Sequence, residues 1–334
     1  MKGYRFITYN DYLCIPSRKN PKVILAIGSA LQAKNSFQLY NPFSVKAKLL
    51  KRVLFFLSVN FNSIAKIIFS KKAIDKDKIV SFLEEKYQTE FISSIYNSTA
   101  GDKVIVQLQS ENKIFGYVKY PLNERGKMFV ENERKGIEIL SHHKVIDTTV
   151  DSFIFNKTTF IVLPEIKGKV GFVDDLTAEK IIEPYKKEKK FLLIKHKRVQ
   201  SILQELTELG FNKYVNLLNK ITKSSNELYF EAFEHGDYTP WNILKSEEKY
   251  QTFDFEFFVE NGLEYLDLIK FHYQVGKLLE KNGPEDLIKY LLSKIQIVEI
   301  KLLVSIFLLK EIVLRKMHSE DYAFEEKTLQ IINE

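Results

Sequence analysis

The stretch Glu234-His235-Gly236-Asp237-Tyr238-Thr239-Pro240-Trp241-Asn242-Ile243-Leu244, followed by Phe253-Asp254-Phe255-Glu256, constrains this chain more than any other part of it. It sets His, Asp and Asn at His-x-Asp-x-x-x-x-Asn spacing, with a second Asp twelve residues beyond the Asn. One carboxylate to orient an attacking hydroxyl, and an amide plus a second carboxylate to hold Mg²⁺, are what phosphoryl transfer from ATP requires. Asp237 is placed to accept or orient the hydroxyl proton. Asn242 can turn back to a metal because Pro240 stiffens the intervening loop. Asp254 sits in the apolar run Phe253, Phe255, Phe257, Phe258, which predicts a buried strand or hairpin. A carboxylate there is costly unless it meets a cation. An ordinary turn with an Asx hydrogen bond would account for His235 and Asp237 alone. It would not account for the spaced Asn and the later Asp-Phe-Glu.

The pattern resembles the catalytic loop of the aminoglycoside phosphotransferase and choline kinase family, whose fold is protein-kinase-like. Members usually read His-Gly-Asp-x-x-x-x-Asn and then Asp-Phe/Trp-Glu, and both segments are matched here. The resemblance spans residues 90–330 and implies ATP and Mg²⁺ as cofactors. It implies Asp237, Asn242 and Asp254 as catalytic residues, the latter two as metal ligands. His235 would brace the loop by hydrogen bonds. Asp267, in an Asp-Leu pair just past the metal Asp, would support a helix N-terminus. The fold expected is α+β and bilobal, with a small antiparallel-sheet N-lobe and hinge (90–168) and a helical C-lobe carrying the catalytic loop (169–334). Residues 1–89 would form an α/β extension outside the resemblance.

The order of local signals suits that expectation. Strands are predicted at Phe91 to Tyr96, Lys103 to Gln109 and Ile114 to Tyr120, with a loop at Asn97 to Asp102. In such a lobe the first loop covers nucleotide phosphates and the third strand presents a lysine. Ser98, Thr99 and Gly101 are the loop candidates, although the loop has a single glycine. Lys119 takes the lysine's place, with Glu133 as its natural partner on the next helix and Glu131 as the competitor. The run Thr159 to Gly168 resembles the hinge, where a carbonyl from about Pro164 and an N–H from about Ile166 would read adenine. Proline lacks only the N–H. Beyond Gly171 the spacing of Val199, Ile202, Leu206 and of Tyr214, Leu217, Leu218, Ile221 predicts helices.

Composition limits the alternatives. A chain of 334 residues is long enough for about two domains. Its net charge of +7 is spread along the sequence, with no aromatic-interleaved basic module, so no nucleic-acid partner is expected. The runs Lys186 to Lys190 and Lys195 to Arg198 are expected on a solvated helical face. The single cysteine, Cys14, fits a reducing cytoplasm. His142-His143 has no ligand company for zinc. The first residues lack a signal-peptide core. The most apolar stretch, Leu49 to Phe69, is too interrupted by Lys and Asn to span a bilayer. It reads as an amphipathic helix with Leu50, Leu54, Leu57, Phe61, Ile64 and Ile68 on one face. Packing on the lobe is the expectation; peripheral contact with the inner face of a membrane is the alternative.

The acceptor expected is a small molecule with a hydroxyl, such as a sugar or amino alcohol. Protein kinases follow the loop His with an Arg that reads a phosphorylated activation loop; here Gly236 stands there. The twelve residues between Asp254 and Asp267 are too few for an activation segment and peptide platform. The Tyr-Thr-Pro-Trp-Asn variant is similar to kinase-like proteins of bacterial surface polysaccharide synthesis. The rival reading is a catalytically silent kinase-like nucleotide-binding or scaffold module, which the glycine-poor loop favours.

Overall fold

The β signals on both sides of Gly101 fold into one sheet. The computed structural model describes residues 5–17, 19–42, 44–98, 101–171, 173–246 and 249–334. Contacts divide the chain into two units, 1–134 with 148–166 and 135–147 with 167–334.

The first unit holds β1 (Asn10–Ile15), β2 (Val23–Ala26), α1 (Ala30–Ser36), α2 (Val45–Asn60), α3 (Asn62–Phe69), β3 (Ser70–Ala73) and α4 (Lys78–Tyr87). There follow β4 (Ile92–Asn97), β5 (Lys103–Ser110), β6 (Lys113–Pro121), α5 (Glu124–His142), β7 (Asp151–Phe155) and β8 (Thr158–Pro164). The last turns of α5 group with the second unit. The eight strands make one antiparallel sheet in the order β3-β1-β2-β4-β5-β6-β8-β7. The strands from residues 1–89 therefore continue the sheet built by β4 to β8. Tyr12, Ile24, Val80 and Leu83 share a core with Val106, Val118 and Phe160.

Two expectations for this region fail. Tyr4 to Tyr9 ahead of Asn10-Asp11 reads as a strand ending in a turn, yet no strand forms among residues 5–9 and β1 starts at Asn10. Phe6 has φ of 64° and donates its N–H to the Asp77 carboxylate at 2.7 Å, so side chains rather than a ladder tie the segment down. The helix expected from Leu49 to Phe69 is two helices, broken at Phe61 (φ −127°, ψ 47°). Asn62 fixes the break by donating to the carbonyls of Ile27 and Ser58, each at 2.9 Å. Leu54, Ser58 and Ala65 are buried and Phe55, Val59 and Phe69 pack against the same core, while Leu50, Phe61, Ile64 and Ile68 stay exposed.

The second unit contains β9 (Lys169–Val170), α6 (Asp175–Ile182), β10 (Lys186–Leu192), α7 (Lys197–Glu208), α8 (Asn212–Ser224), β11 (Leu228–Glu234), β12 (Ile243–Lys245), β13 (Tyr250–Thr252) and β14 (Val259–Leu263). It ends with α9 (Leu266–Gln274), α10 (Pro284–Lys294), α11 (Ile300–Met317) and α12 (Ala323–Asn333). Two small sheets, β10-β11-β14 and β13-β12-β9, frame the segment between Glu234 and Ile243. The helices enclose a core that includes Leu206, Leu218, Leu268, Leu291 and Phe307. The Lys186 to Lys190 run, expected on a helix, is edge strand β10. Lysines along an edge strand oppose pairing with another chain. The α+β class, with a sheet-rich first part and a helical second part, is as expected.

Candidate active site

Asp237 and Asn242 meet because the chain between them is folded by its own backbone. Strand β11 delivers Glu234, and Gly236 follows with φ of 80°. A Cβ at Gly236 would lie 2.1 Å from the Phe257 carbonyl oxygen, so both conformation and space demand glycine. Pro240 then opens a short 3₁₀ turn ending at Asn242. The Asn242 amide donates to the Asp237 carbonyl and to its Oδ2, each at 2.9 Å. Both donors belong to Nδ2, which leaves the amide oxygen for a metal. Asp237 is the one partly exposed member of the run from Glu231 to Pro240. Its carboxylate can be reached from solvent.

Asp254 does not lie on a strand. Strand β13 stops at Thr252, and Asp254 occupies a loop with φ of 69°. Phe255, next to it, is buried. The Phe253 N–H donates to the Asn242 carbonyl at 3.1 Å, so the two proposed metal ligands sit on hydrogen-bonded segments.

His235 is fully buried against the Phe255 ring, 4.6 Å between centroids, with Nε2 3.0 Å from the Phe253 carbonyl. It links the two loops. Burial lowers its pKa, which keeps the ring neutral. Asp267, at the start of α9, accepts the N–H groups of His235 at 2.6 Å and Gly236 at 3.0 Å. Burial, then the nearby Glu234 carboxylate, pushes Asp267 up to about 7.

That shift carries a testable sign. A folded pKa above the unfolded value means that folding takes up a proton between about pH 4 and 7. The stability this group contributes is full below pH 4 and lost by pH 7. His235 acts oppositely, since its depressed pKa costs stability below its ordinary value near 6.5. Subtracting a variant isolates Asp267. The stability of wild type relative to Asp267→Asn is expected to be greatest near pH 4 and to fall as pH rises to 7. Urea unfolding at several pH values measures it, and a flat difference would contradict a raised Asp267.

Sequence reasoning missed the charges beneath the loop. Lys270 Nζ lies 3.8 Å from Asp237 Oδ1 and donates to both oxygens of Glu311, at 3.1 and 2.9 Å. Lys310 bonds Glu234 at 3.0 Å, and Arg198 bonds the other Glu234 oxygen at 3.0 Å. Burial works against the Lys270 ammonium, but Glu311 and Asp237 outweigh it and hold its pKa above the ordinary value. The signal was present: Lys270, Lys310 and Glu311 interrupt apolar stretches of α9 and α11.

In the first unit, Lys119 lies on β6 between β5 and β8, paired with Ile105 and Ile161. Its ammonium bonds Glu133 Oε1 of α5 at 2.6 Å, and both residues are buried. Glu131 pairs with Arg134 at 2.7 Å instead. Gly101 has φ of 68° and closes a turn onto the Ser98 carbonyl at 3.1 Å; the Ser98 hydroxyl donates to Asp102 at 2.6 Å. Thr99 lies outside the described residues. Pro164 ends β8 opposite Gly116, and Ile166 follows in a loop. A cavity of about 250 Å³ in the second unit is lined by Tyr185, Glu264, Tyr265 and Asp267 but not by Asp237, Asn242 or Asp254.

No protein-family model matches the sequence, and no curated protein matches it. Among solved structures, the chain is similar to an ethanolamine kinase from Plasmodium vivax, at 12% identity over 91% of this chain and 93% of the other, with a TM-score of 0.44. It is similar to a choline kinase from Streptococcus pneumoniae at 13% identity, 76% and 97% coverage and TM-score 0.42. A macrolide 2′-phosphotransferase from Brachybacterium faecium matches at 11% identity, 76% and 97% coverage and TM-score 0.47.

Proposed function

We propose that the protein is an ATP- and Mg²⁺-dependent phosphotransferase acting on a hydroxyl of a small molecule. The observation that carries the reading is the convergence of Asp237 and Asn242 on a loop held by Asp267, with Asp254 on the segment bonded to it. The donor set suits the metal. Mg²⁺ is held by one or two carboxylates together with substrate phosphates rather than by an all-protein cage. Among the described residues no group of three or more His, Cys, Asp or Glu could hold a metal by itself. Asn242 and Asp254 would hold the ion, which neutralises charge building on the phosphates.

Asp237 orients the acceptor hydroxyl and takes its proton as the new oxygen–phosphorus bond forms and the nucleoside diphosphate leaves. Lys270 and Asn242 fix the carboxylate for that task. Lys119, aimed by Glu133, neutralises α- and β-phosphate charge. Sugars and amino alcohols, including intermediates of surface polysaccharide synthesis, are the acceptor classes we propose. A catalytically silent module is the second reading, favoured by the Ser98 hydroxyl being committed to Asp102.

Titration with Mg·ATP separates the phosphotransferase from a scaffold that binds no nucleotide, and ATP-dependent phosphorylation separates it from a silent nucleotide-binding module. Ligand at 100 times Kd stabilises the native state by about 2.7 kcal/mol. Wild type is expected to show that gain, and Asp254→Ala to lose its Mg²⁺-dependent part. Equal Mg·ATP affinity of Asp254→Ala and wild type by isothermal titration would make Asp254 a structural acid. Screening sugars, amino alcohols and nucleosides for ATP-dependent phosphorylation identifies the acceptor.

A further inference from the structure

Helices α2 and α3 pack through Leu54, Ser58 and Ala65, with Phe55, Val59 and Phe69 partly buried beside them, and leave their opposite apolar side chains in solvent. On a helix of about 3.6 residues per turn, Val45, Leu49, Val53 and Phe56 of α2 fall on one side, away from buried Leu54 and Ser58. Val45 is 82% exposed and Phe56 55% exposed. In α3, Ile64, Ile67 and Ile68 make a second exposed stripe, Ile67 at 84%. The Phe56 and Phe61 rings, 5.7 Å apart, join the two across the break. Contiguous exposed apolar surface of this kind marks an interaction site.

Charge selects the occupant. Between Asp11 and Asp75 the sequence has eleven Lys and Arg and no Asp or Glu. Helical spacing puts Lys46 on one flank of the α2 stripe and Lys48 and Arg52 on the other, all three exposed. Lys71 and Lys72 extend the basic rim on edge strand β3. A second copy of the chain would bring two faces rimmed by Lys46, Lys48 and Arg52 together and meet like-charge repulsion. Protein interfaces are also depleted in lysine. Apolar side chains at the centre and basic ones at the rim match acyl chains below and anionic headgroups around them. No helix among the described residues is long and apolar enough to cross a membrane, so the contact is with one leaflet.

We propose that the exposed face of α2 and α3 docks this protein on an anionic lipid bilayer. This contact differs from the packing expected of the segment and is independent of the phosphotransferase reading. The full-length protein should sediment with vesicles of mixed phosphatidylcholine and phosphatidylglycerol. It should bind phosphatidylcholine alone at least about tenfold more weakly, and added salt should weaken the anionic interaction. Leu49→Ser/Phe56→Ser and Lys46→Glu/Arg52→Glu should each lower anionic binding about tenfold or more. Circular dichroism should be unchanged, because all four side chains are exposed. Absence of sedimentation with anionic vesicles overturns the proposal, as does equal binding to neutral vesicles. So does undiminished binding by either double variant. A concentration-dependent dimer lost in Leu49→Ser/Phe56→Ser, without vesicle binding, assigns the face to a second copy and equally overturns it. None of these results bears on Mg·ATP affinity, which judges the phosphotransferase reading separately.

Discussion

Asp237→Asn is expected to lower kcat by roughly 10²–10⁴ while folding and Mg·ATP affinity change little. The substitution keeps the side chain's size and one acceptor oxygen, so the Asn242 amide can still bond at position 237. Lys270 loses a contact at 3.8 Å but keeps Glu311 at 2.9 Å, and its buried ammonium stays paired. What disappears is a carboxylate able to take the hydroxyl proton. Because Asp237 is neither of the two proposed metal ligands, a loss confined to kcat separates base from metal site. Steady-state kinetics with the identified acceptor, alongside Mg·ATP titration, makes the measurement. Full activity in the folded variant would remove Asp237 from the chemistry.

The local part of this site was legible from spacing, whereas the parts that support it were not. His235, Asp237 and Asn242 lie within eight residues, so one turn decides their geometry, and Pro240 and Gly236 announce that turn. Asp254 was misread as strand-borne because the alternation of Phe residues around it mimics a half-buried strand. Its backbone is left-handed, with Phe255 buried beside it and the Phe257 carbonyl pressed against Gly236, and no local pattern reveals either contact. Asp267 was recognised as a helix support, but its bonds to His235 and Gly236 come from a residue over thirty positions away. The α2–α3 segment was legible in part. It packs on the sheet as expected, through Leu54 with Phe55 and Val59 beside it, but Leu50, Phe61, Ile64 and Ile68 of the same periodic set stay exposed, because periodicity reports that a face is apolar without saying what covers it. The docked stripe uses Ser58 and Ala65, small residues that allow close approach and carry no hydrophobic signal of their own.

The buried charges beneath the Glu234–Asn242 loop should dominate the stability of the second unit. Glu311 bonds Lys270 and lies 3.8 Å from Lys310, and all three are nearly inaccessible. Glu311→Ala leaves Lys270 facing Asp237 at 3.8 Å. Breaking one member of a buried ionic set costs about 3–5 kcal/mol, because the orphaned charge stays in a low-dielectric interior. Replacing a pair by apolar residues of similar volume is far milder. Lys270→Met/Glu311→Leu should therefore recover more than half of the loss, since Lys310 keeps Glu234 at 3.0 Å. Urea unfolding followed through Trp241 reads this unit directly: it is the chain's single tryptophan and lies in the short turn Pro240–Asn242. The double variant also bears on function, because a folded protein without Lys270 has lost the cation beside Asp237. Its kcat is expected to fall although its stability returns. A Glu311→Ala cost below about 1 kcal/mol, or a double variant no more stable than the single, would show that water rather than Glu311 compensates Lys270.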